Sequence, residues 1–250
     1  MQSPPEHGNF RRYYTFRPGV NDRRLAQIPA KYFLGRSLLD VGCNSAEFTL
    51  MVARRYHPLF VEGIDIDGDL VLAAESRRGR VLEGVAAMRT VLPVTWGRWD
   101  AYFRDSIRFT QADVLEHRPK RAFGTVMCLS VSKWVHLNHG DEGLLRLFDA
   151  LHSATEPQGF LVFEYQRWQS YRNSRNVSLA SRTSFDRIQV RPEEFIGLLV
   201  RRGWRVVERF NEEEEPDCRF TRPLLVLQKL PTSPPSRLFE ATCDEGRPER

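Results

Sequence analysis

Between Ser130 and Gly143 the chain reads SVSKWVHLNHGDEG, directly after the apolar run TVMCL. One buried strand therefore empties into a cation (Lys133), an indole (Trp134), two imidazoles (His136 and His139) and an amide (Asn138). Trp134 as core, His136 as a satisfied buried histidine and Asp141 as a helix cap would explain part of this set structurally. Lys133 resists that account, because its ammonium suits an anionic oxygen better than a packed wall. A second set lies in LLDVGCNSAEF, where Asp40 closes a strand and Gly42 permits close backbone approach. Asn44 and Ser45 supply a polar turn and cap before a helix beginning near Ala46. Only one of the three glycines of a D-x-G-x-G-x-G loop is present, so this turn alone is equally an ordinary strand-to-helix connection. Asp65, in VEGIDID, lies 25 residues beyond Asp40, near the spacing at which a carboxylate accepts from the ribose hydroxyls of a nucleotide cofactor. A loop short of glycines holds a pyrophosphate poorly, which favours S-adenosylmethionine over NAD. Asp113, ending SIRFTQAD, is placed for an adenine amino group with Ile66 and Val114 beside the ring, or simply caps a turn.

These residues need a scaffold that gathers strand ends. SLLDVG, LFVEGID, SIRFTQAD, GTVMCLS and GFLVFE are short runs rich in Val, Ile, Leu and Phe, as in strands buried on both faces. Helical spacing separates them: Phe48, Met51 and Val52 fall at i, i+3, i+4, and Leu144, Leu147, Phe148 and Leu151 complete an i to i+7 stripe. Strand then helix, repeated, predicts an α/β fold with a mostly parallel sheet and helices on both faces. Such sheets bind ligands at the carboxyl ends of their strands, where Asp40, Asp65, Asp113 and Lys133 all fall. RPEEFIGLLVRRG predicts a later helix, with proline and acids at its start and Gly203 at its end. WRVVERF and PLLVLQK, joined through NEEEEPDCRFTR, predict an antiparallel pair at one sheet edge. Residues 1–30 form an aromatic and arginine-rich segment, 31–230 the main domain with an insertion at about 76–105 of unassigned structure, and 231–250 a poorly ordered tail.

A chain of 250 residues, 41% hydrophobic and 28% charged, suits a globular protein with a sizeable core. No run of about 18 apolar residues and no basic-then-apolar start is readable, so the expectation is an intracellular protein without a membrane span. Four cysteines, Cys43, Cys128, Cys218 and Cys243, lack paired metal-ligand spacing and predict neither a disulfide nor a metal site. The formal charge of +5 is consistent with a polyanionic partner.

HGNFRRYYTFR, LLDVGCN, GIDID, LSVSKWVHLNHGDEGL and FEYQRWQSY together resemble the methylphosphate capping enzymes, the bicoid-interacting-protein-type RNA methyltransferases. The resemblance covers roughly residues 7 to 230, and its most specific string is K-W-x-H-L-N-x-G-D-x-G. It implies a seven-stranded class I (Rossmann-like) methyltransferase fold that uses S-adenosylmethionine to methylate the γ-phosphate of a 5′-triphosphate small RNA, leaving S-adenosylhomocysteine. A sister branch methylates 5′-monophosphates. A third reading is an RNA-binding chaperone of a small ribonucleoprotein, with the basic residues from Arg167 to Arg187 on a stem. Carried over by residue, cofactor contacts fall on Tyr13, Arg24, Gly42, Asp65, Ile66, Asp113, Val114 and Leu129, with Asp40, Cys43 and Asn44 in the same loop. Arg24 would pair with the methionine carboxylate. Phosphate contacts and catalytic roles fall on Tyr13, Arg17, Lys133 and His136, with Glu164, Gln166 and Trp168 in the neighbouring wall. The segment FRRYYTF would fold over both ligands as a lid. The family shows E-P-Q-P-W where this chain has EYQRW, which leaves Arg167 without a role, as is His139. The resemblance further implies a nuclear home; the remaining expectations are ribonucleoprotein subunits as partners, no membrane and a monomer.

Overall fold

The computed structural model describes residues 7, 8, 10, 14, 22–87, 93–211 and 221–231. Among them the elements run α1 (Arg23–Gln27), β1 (Ser37–Val41), α2 (Glu47–Tyr56), β2 (Phe60–Asp65), α3 (Gly68–Ala87), α4 (Pro93–Asp105), β3 (Ile107–Gln111) and β4 (Phe123–Leu129). Then follow α5 (Ser132–Ala154), β5 (Thr155–Glu164), α6 (Trp168–Ser174), α7 (Leu179–Phe185), α8 (Phe195–Arg201), β6 (Trp204–Phe210) and β7 (Leu224–Lys229). The seven strands form one sheet in the order β3-β2-β1-β4-β5-β7-β6, parallel except for β7, which is antiparallel to both neighbours. The seven-stranded, mostly parallel α/β sheet expected from the sequence is therefore present.

The predicted antiparallel pair is also present, with an order its composition explains. PLLVLQK is apolar nearly throughout, and β7 lies inside the sheet with its first four residues buried. WRVVERF mixes apolar with charged residues, and β6 is the edge strand with Arg205, Val207 and Arg209 exposed. Helices cover both faces. On one face Leu144, Leu147, Phe148 and Leu151 of α5 meet Phe163, Phe195 and Trp204. On the other, Phe48 and Val52 of α2 and Phe103 of α4 cover Val61, Met127 and Val162. The stretch 76–105, unassigned from sequence, contains the second half of α3 and all of α4. No described helix is long and apolar enough to cross a membrane. The cysteines described, Cys43 and Cys128, are buried free thiols.

One expectation requires correction. SVSKWVHLN was expected to be a loop after β4, but α5 begins at Ser132 and contains it. Gly140 interrupts that helix at φ 65°, ψ −165°, so the segment to His139 and the Leu144 stripe are two helical pieces joined at a glycine. Trp134 and Leu137, three apart and buried, are the apolar face that makes the first piece helical. Likewise Trp168, expected on a loop, begins α6.

Candidate active site

The strand register puts the ends of β1, β2, β4 and β5 side by side: Val41 pairs with both Ile64 and Cys128, and Leu129 with Glu164. A cleft opens there, across the point between β1 and β4 where the strand order reverses. Its lining includes Asp40, Gly42, Cys43, Asn44, Asp65, Ile66, Asp113, Val114 and Leu129, so the described part of the expected cofactor set converges on one hollow. Arg24 lines it as well.

The loop after β1 is built for close approach. Gly42 has φ +72°, and a Cβ there would stand 2.4 Å from Val131 Cγ2, so only glycine fits. Its amide and that of Cys43 donate to the Ile64 carbonyl at 2.8 and 3.0 Å, closing the loop onto β2. Asn44 (φ 52°) and Ala46 (φ 59°) also turn left-handed. The Asn44 Oδ1 accepts from the Ser45 amide at 2.8 Å, while the Phe48 amide donates to the Tyr14 hydroxyl at 3.3 Å; the helix cap expected from Asn44 and Ser45 thus comes partly from Tyr14. Asp65, 8% exposed, is oriented by the Asn44 amide on Oδ2 (2.8 Å) and the Asp67 amide on Oδ1 (3.0 Å). Burial raises its pKa. Asp40 lies deeper, accepting from Thr49 Oγ1 at 2.5 Å, and burial pushes its carboxyl up to about 7 against the opposing pull of Thr49 and Arg24. Burial likewise drives the Cys43 thiol up, so it stays protonated and inert. Asp113 lines the cleft and also caps its own turn, accepting from the Leu115 amide at 2.8 Å.

A methionine-and-nucleoside cofactor fits this lining on two observations. The Gly42 cradle leaves backbone exposed to a ligand without room for a Cβ. Gln166, 2% exposed and facing the cleft, donates Nε2–H to the Ser130 carbonyl at 3.0 Å and leaves a buried Oε1 without a partner among the described residues. Such an acceptor calls for a ligand donor, which an amino acid ammonium supplies and an ionised phosphate does not.

The side expected to meet phosphate is a cluster of charges around the end of β4. Lys133 is 5% exposed, its Nζ donating to Ser170 Oγ (3.1 Å) and Ser174 Oγ (2.9 Å) of α6 and standing 4.2 Å from the Trp134 ring centroid. Burial, with the Arg222 charge, lowers its pKa to about 7. Glu164, 1% exposed, accepts from Ser130 Oγ and lies 3.6 Å from Arg24 Nη1 and 3.5 Å from Arg222 Nη1. Arg24 is also paired with Asp22 at 2.5 Å. One carboxylate thus joins the arginine of the cofactor end to the arginine beside Lys133.

Other expected residues lie elsewhere. Tyr13 and Arg17 are outside the described residues. His136 is fully buried beneath the wall and does not line the cleft: Nε2 donates to Asp141 Oδ1 at 2.7 Å, and Nδ1 faces the Tyr171 hydroxyl at 3.3 Å. Burial lowers its pKa, so the ring is neutral and joins α5 to α6. The Asp141 carboxylate, expected as a helix cap, reaches the Gln189 amide at 3.0 Å. Trp168 stacks on Phe185 at 4.9 Å and lies under Arg191, away from the cleft lining. The sequence reading missed Arg222, which the start of β7 carries to the site; Phe10 and Tyr14, the described members of FRRYYTF, line the cleft from the segment expected over the ligands. Phe10 meets Trp134 edge-on at 5.7 Å, and a Cβ on Gly8 would stand 2.1 Å from the indole Nε1. His139 and Asn138 also line the cleft.

Comparison with known proteins agrees with this geometry. Residues 123–229 match the family model of Bicoid-interacting protein 3 (Bin3). A protein of Arabidopsis thaliana named a probable RNA methyltransferase is 29% identical over 254 residues, covering 89% of this chain and 80% of that protein. The human 7SK snRNA methylphosphate capping enzyme is 29% identical over 239 residues; these cover 78% of this chain but only 35% of that longer protein. Among solved structures, the N-methyltransferase NodS from Bradyrhizobium japonicum WM9 superposes with a TM-score of 0.58 at 18% identity, covering 86% of this chain and 98% of that one. The same protein solved with S-adenosyl-L-homocysteine gives 0.56. The family resemblance and the class I methyltransferase fold read from the sequence are both borne out.

Proposed function

We propose that this relative of the Bin3-type RNA methyltransferases transfers a methyl group from S-adenosylmethionine to the terminal phosphate oxygen of a small RNA bearing a 5′-triphosphate. The observation that carries the reading is Lys133: a buried ammonium on the cleft wall whose hydrogen-bond partners among the described residues are two neutral hydroxyls, beside a hollow whose other end suits a nucleoside. When bound, the cofactor supplies an electrophilic methyl on a sulfonium. The acceptor oxygen is already anionic at neutral pH, so the chain needs no strong base. Its residues hold and orient. Asp65 accepts from the ribose diol, Gln166 Oε1 from the ammonium, and Arg24 faces the carboxylate, while Lys133 neutralises the phosphate. Fixing the reacting atoms about 3–3.5 Å apart is the proximity effect that supplies up to roughly 7–11 kcal/mol. Trp134 and Phe10 shield the pocket from water. In this reading His136 positions the Lys133 helix against α6 and does not touch phosphate.

The test uses purified full chain, labelled S-adenosylmethionine and otherwise identical RNAs ending in 5′-triphosphate, 5′-monophosphate or 5′-hydroxyl. Label on the triphosphate RNA is expected. Label on the monophosphate RNA alone replaces the reading with the sister activity, and binding without transfer to any end overturns it in favour of a chaperone.

A further inference from the structure

The formal charge of the whole chain, +5, equals that of the stretch from Arg167 to Arg191 alone, which holds six arginines, no lysine and one acid, Asp186. The remaining residues sum to zero. Arg172, Arg175, Arg182 and Arg187 are exposed, and among the described residues none of these four pairs with a carboxylate. Like charges gathered on a short helical pair repel one another, so an anionic partner would relieve a standing cost.

Where this surface sits identifies the partner. α6 is fastened to the acceptor wall by two contacts: Ser170 and Ser174 hold the Lys133 ammonium, and Tyr171 meets His136. The same helix exposes Arg172, and the chain runs on through Arg175 to α7 with Arg182. A shallow groove between them is lined by Arg175, Arg182, Leu179 and Phe185, with Leu179 82% exposed. At about 1.5 Å per residue, the two seven-residue helices each extend the basic surface by roughly 10 Å.

We propose that α6 and α7 form a track for the phosphodiester backbone of the same RNA whose 5′ end reaches Lys133. The proposal rests on the methyl-transfer reading. Arginine forks match phosphate oxygens, and exposed apolar and aromatic surface beside them suits sugars and bases. An acidic protein segment would satisfy the charge but not the continuity with a terminal-phosphate site.

The test compares the wild type with a chain carrying Arg172→Gln, Arg175→Gln, Arg182→Gln and Arg187→Gln, and with the matching four-lysine chain. All four side chains are exposed, so circular dichroism should match wild type and melting should be no lower. Affinity is measured for a 5′-triphosphate RNA hairpin over a salt series, and kcat/KM for a 5′-triphosphate dinucleotide too short to reach α7. Expected for the glutamine chain is a roughly tenfold or greater loss of hairpin affinity at about 0.15 M salt, and a salt slope shallower by roughly 0.7–0.9 per lost contact. The lysine chain should keep the slope, and dinucleotide turnover should stay at the wild-type level. Unchanged hairpin affinity overturns the track, as does an equal loss on the dinucleotide, or an acidic peptide that binds the arginines without competing with RNA. If wild type binds the hairpin through these arginines yet transfers no methyl to it, the methyl-transfer reading falls and the track stands.

Discussion

A lysine ammonium that is only 5% exposed must be matched by something, and at Lys133 the hydrogen-bond partners among the described residues are two serine hydroxyls, with the Trp134 ring beside them. Neither carries charge, and burial together with Arg222 brings the pKa down to about 7 from 10.5. Between these two values the folded protein has released a proton that the unfolded chain retains, so this residue makes stability rise with pH across that window. Below about 7 both states are charged and the cost of burying the ammonium is felt in full. A bound phosphate reverses the balance by supplying the missing anion. The free enzyme should therefore lose kcat/KM on the alkaline side with an apparent pKa of about 7. Arg222→Gln removes a like charge and should move that limb upward, which pH profiles of the two proteins will compare; a limb that stays fixed would detach it from Lys133. Lys133→Ala should cost on the order of 100-fold or more in transfer, while calorimetry finds S-adenosylhomocysteine bound nearly as before. Full activity in that variant would remove Lys133 from the mechanism. Residue types alone were enough to single out Lys133, Asp65 and Gly42. The phosphate role of His136 came from the resemblance, whereas its residue type also allowed the satisfied buried histidine that the structure shows; residue types were silent on Arg222, which only the pairing of β7 with β5 brings near.

Strands were legible because continuous apolar runs have few alternatives in a chain of this composition, and WRVVERF matched β6 end to end. The start of α5 was not, since a dense polar set hides the two buried positions, Trp134 and Leu137, that carry its period. Gly140 is what permits both pieces of α5 to pack. At φ 65°, ψ −165° it occupies a region essentially closed to other residues, yet no atom lies within 4 Å of where its Cβ would be. Gly140→Ala thus tests the backbone alone and should destabilise by about 1–3 kcal/mol. Gly79, inside α3 and equally uncrowded, is the internal control: Gly79→Ala should stabilise by about 0.5–1 kcal/mol. Urea midpoints of both variants against wild type read the signs. A neutral Gly140→Ala would show that α5 tolerates a continuous helix through that point.

At the scale of the molecule the cleft is lined from the ends of β1, β2 and β3 on one side and of β4, β5 and β7 on the other, so a single hollow spans both halves of the sheet. The parallel order was readable from the strand and helix alternation; the insertion of β7 between β5 and β6 was not read, although the apolar PLLVLQK against the half-exposed WRVVERF is the contrast that places β7 inside. A ligand bound only by the folded state stabilises the whole cooperative unit by RT ln(1 + [L]/Kd), about 2.7 kcal/mol at a hundredfold excess over Kd. For a domain of this size that is a rise of roughly 5–11 °C in Tm. S-adenosylhomocysteine should therefore raise the wild-type melting temperature by this amount in a single transition. Asp65→Ala removes the carboxylate that Asn44 and Asp67 orient toward the hollow, and at the same ligand concentration its shift should collapse with the lost affinity. If that variant melts as one unit and S-adenosylhomocysteine raises its Tm as much as that of the wild type, Asp65 does not hold the ribose, and the cofactor end must be reassigned to Asp40 or Asp113.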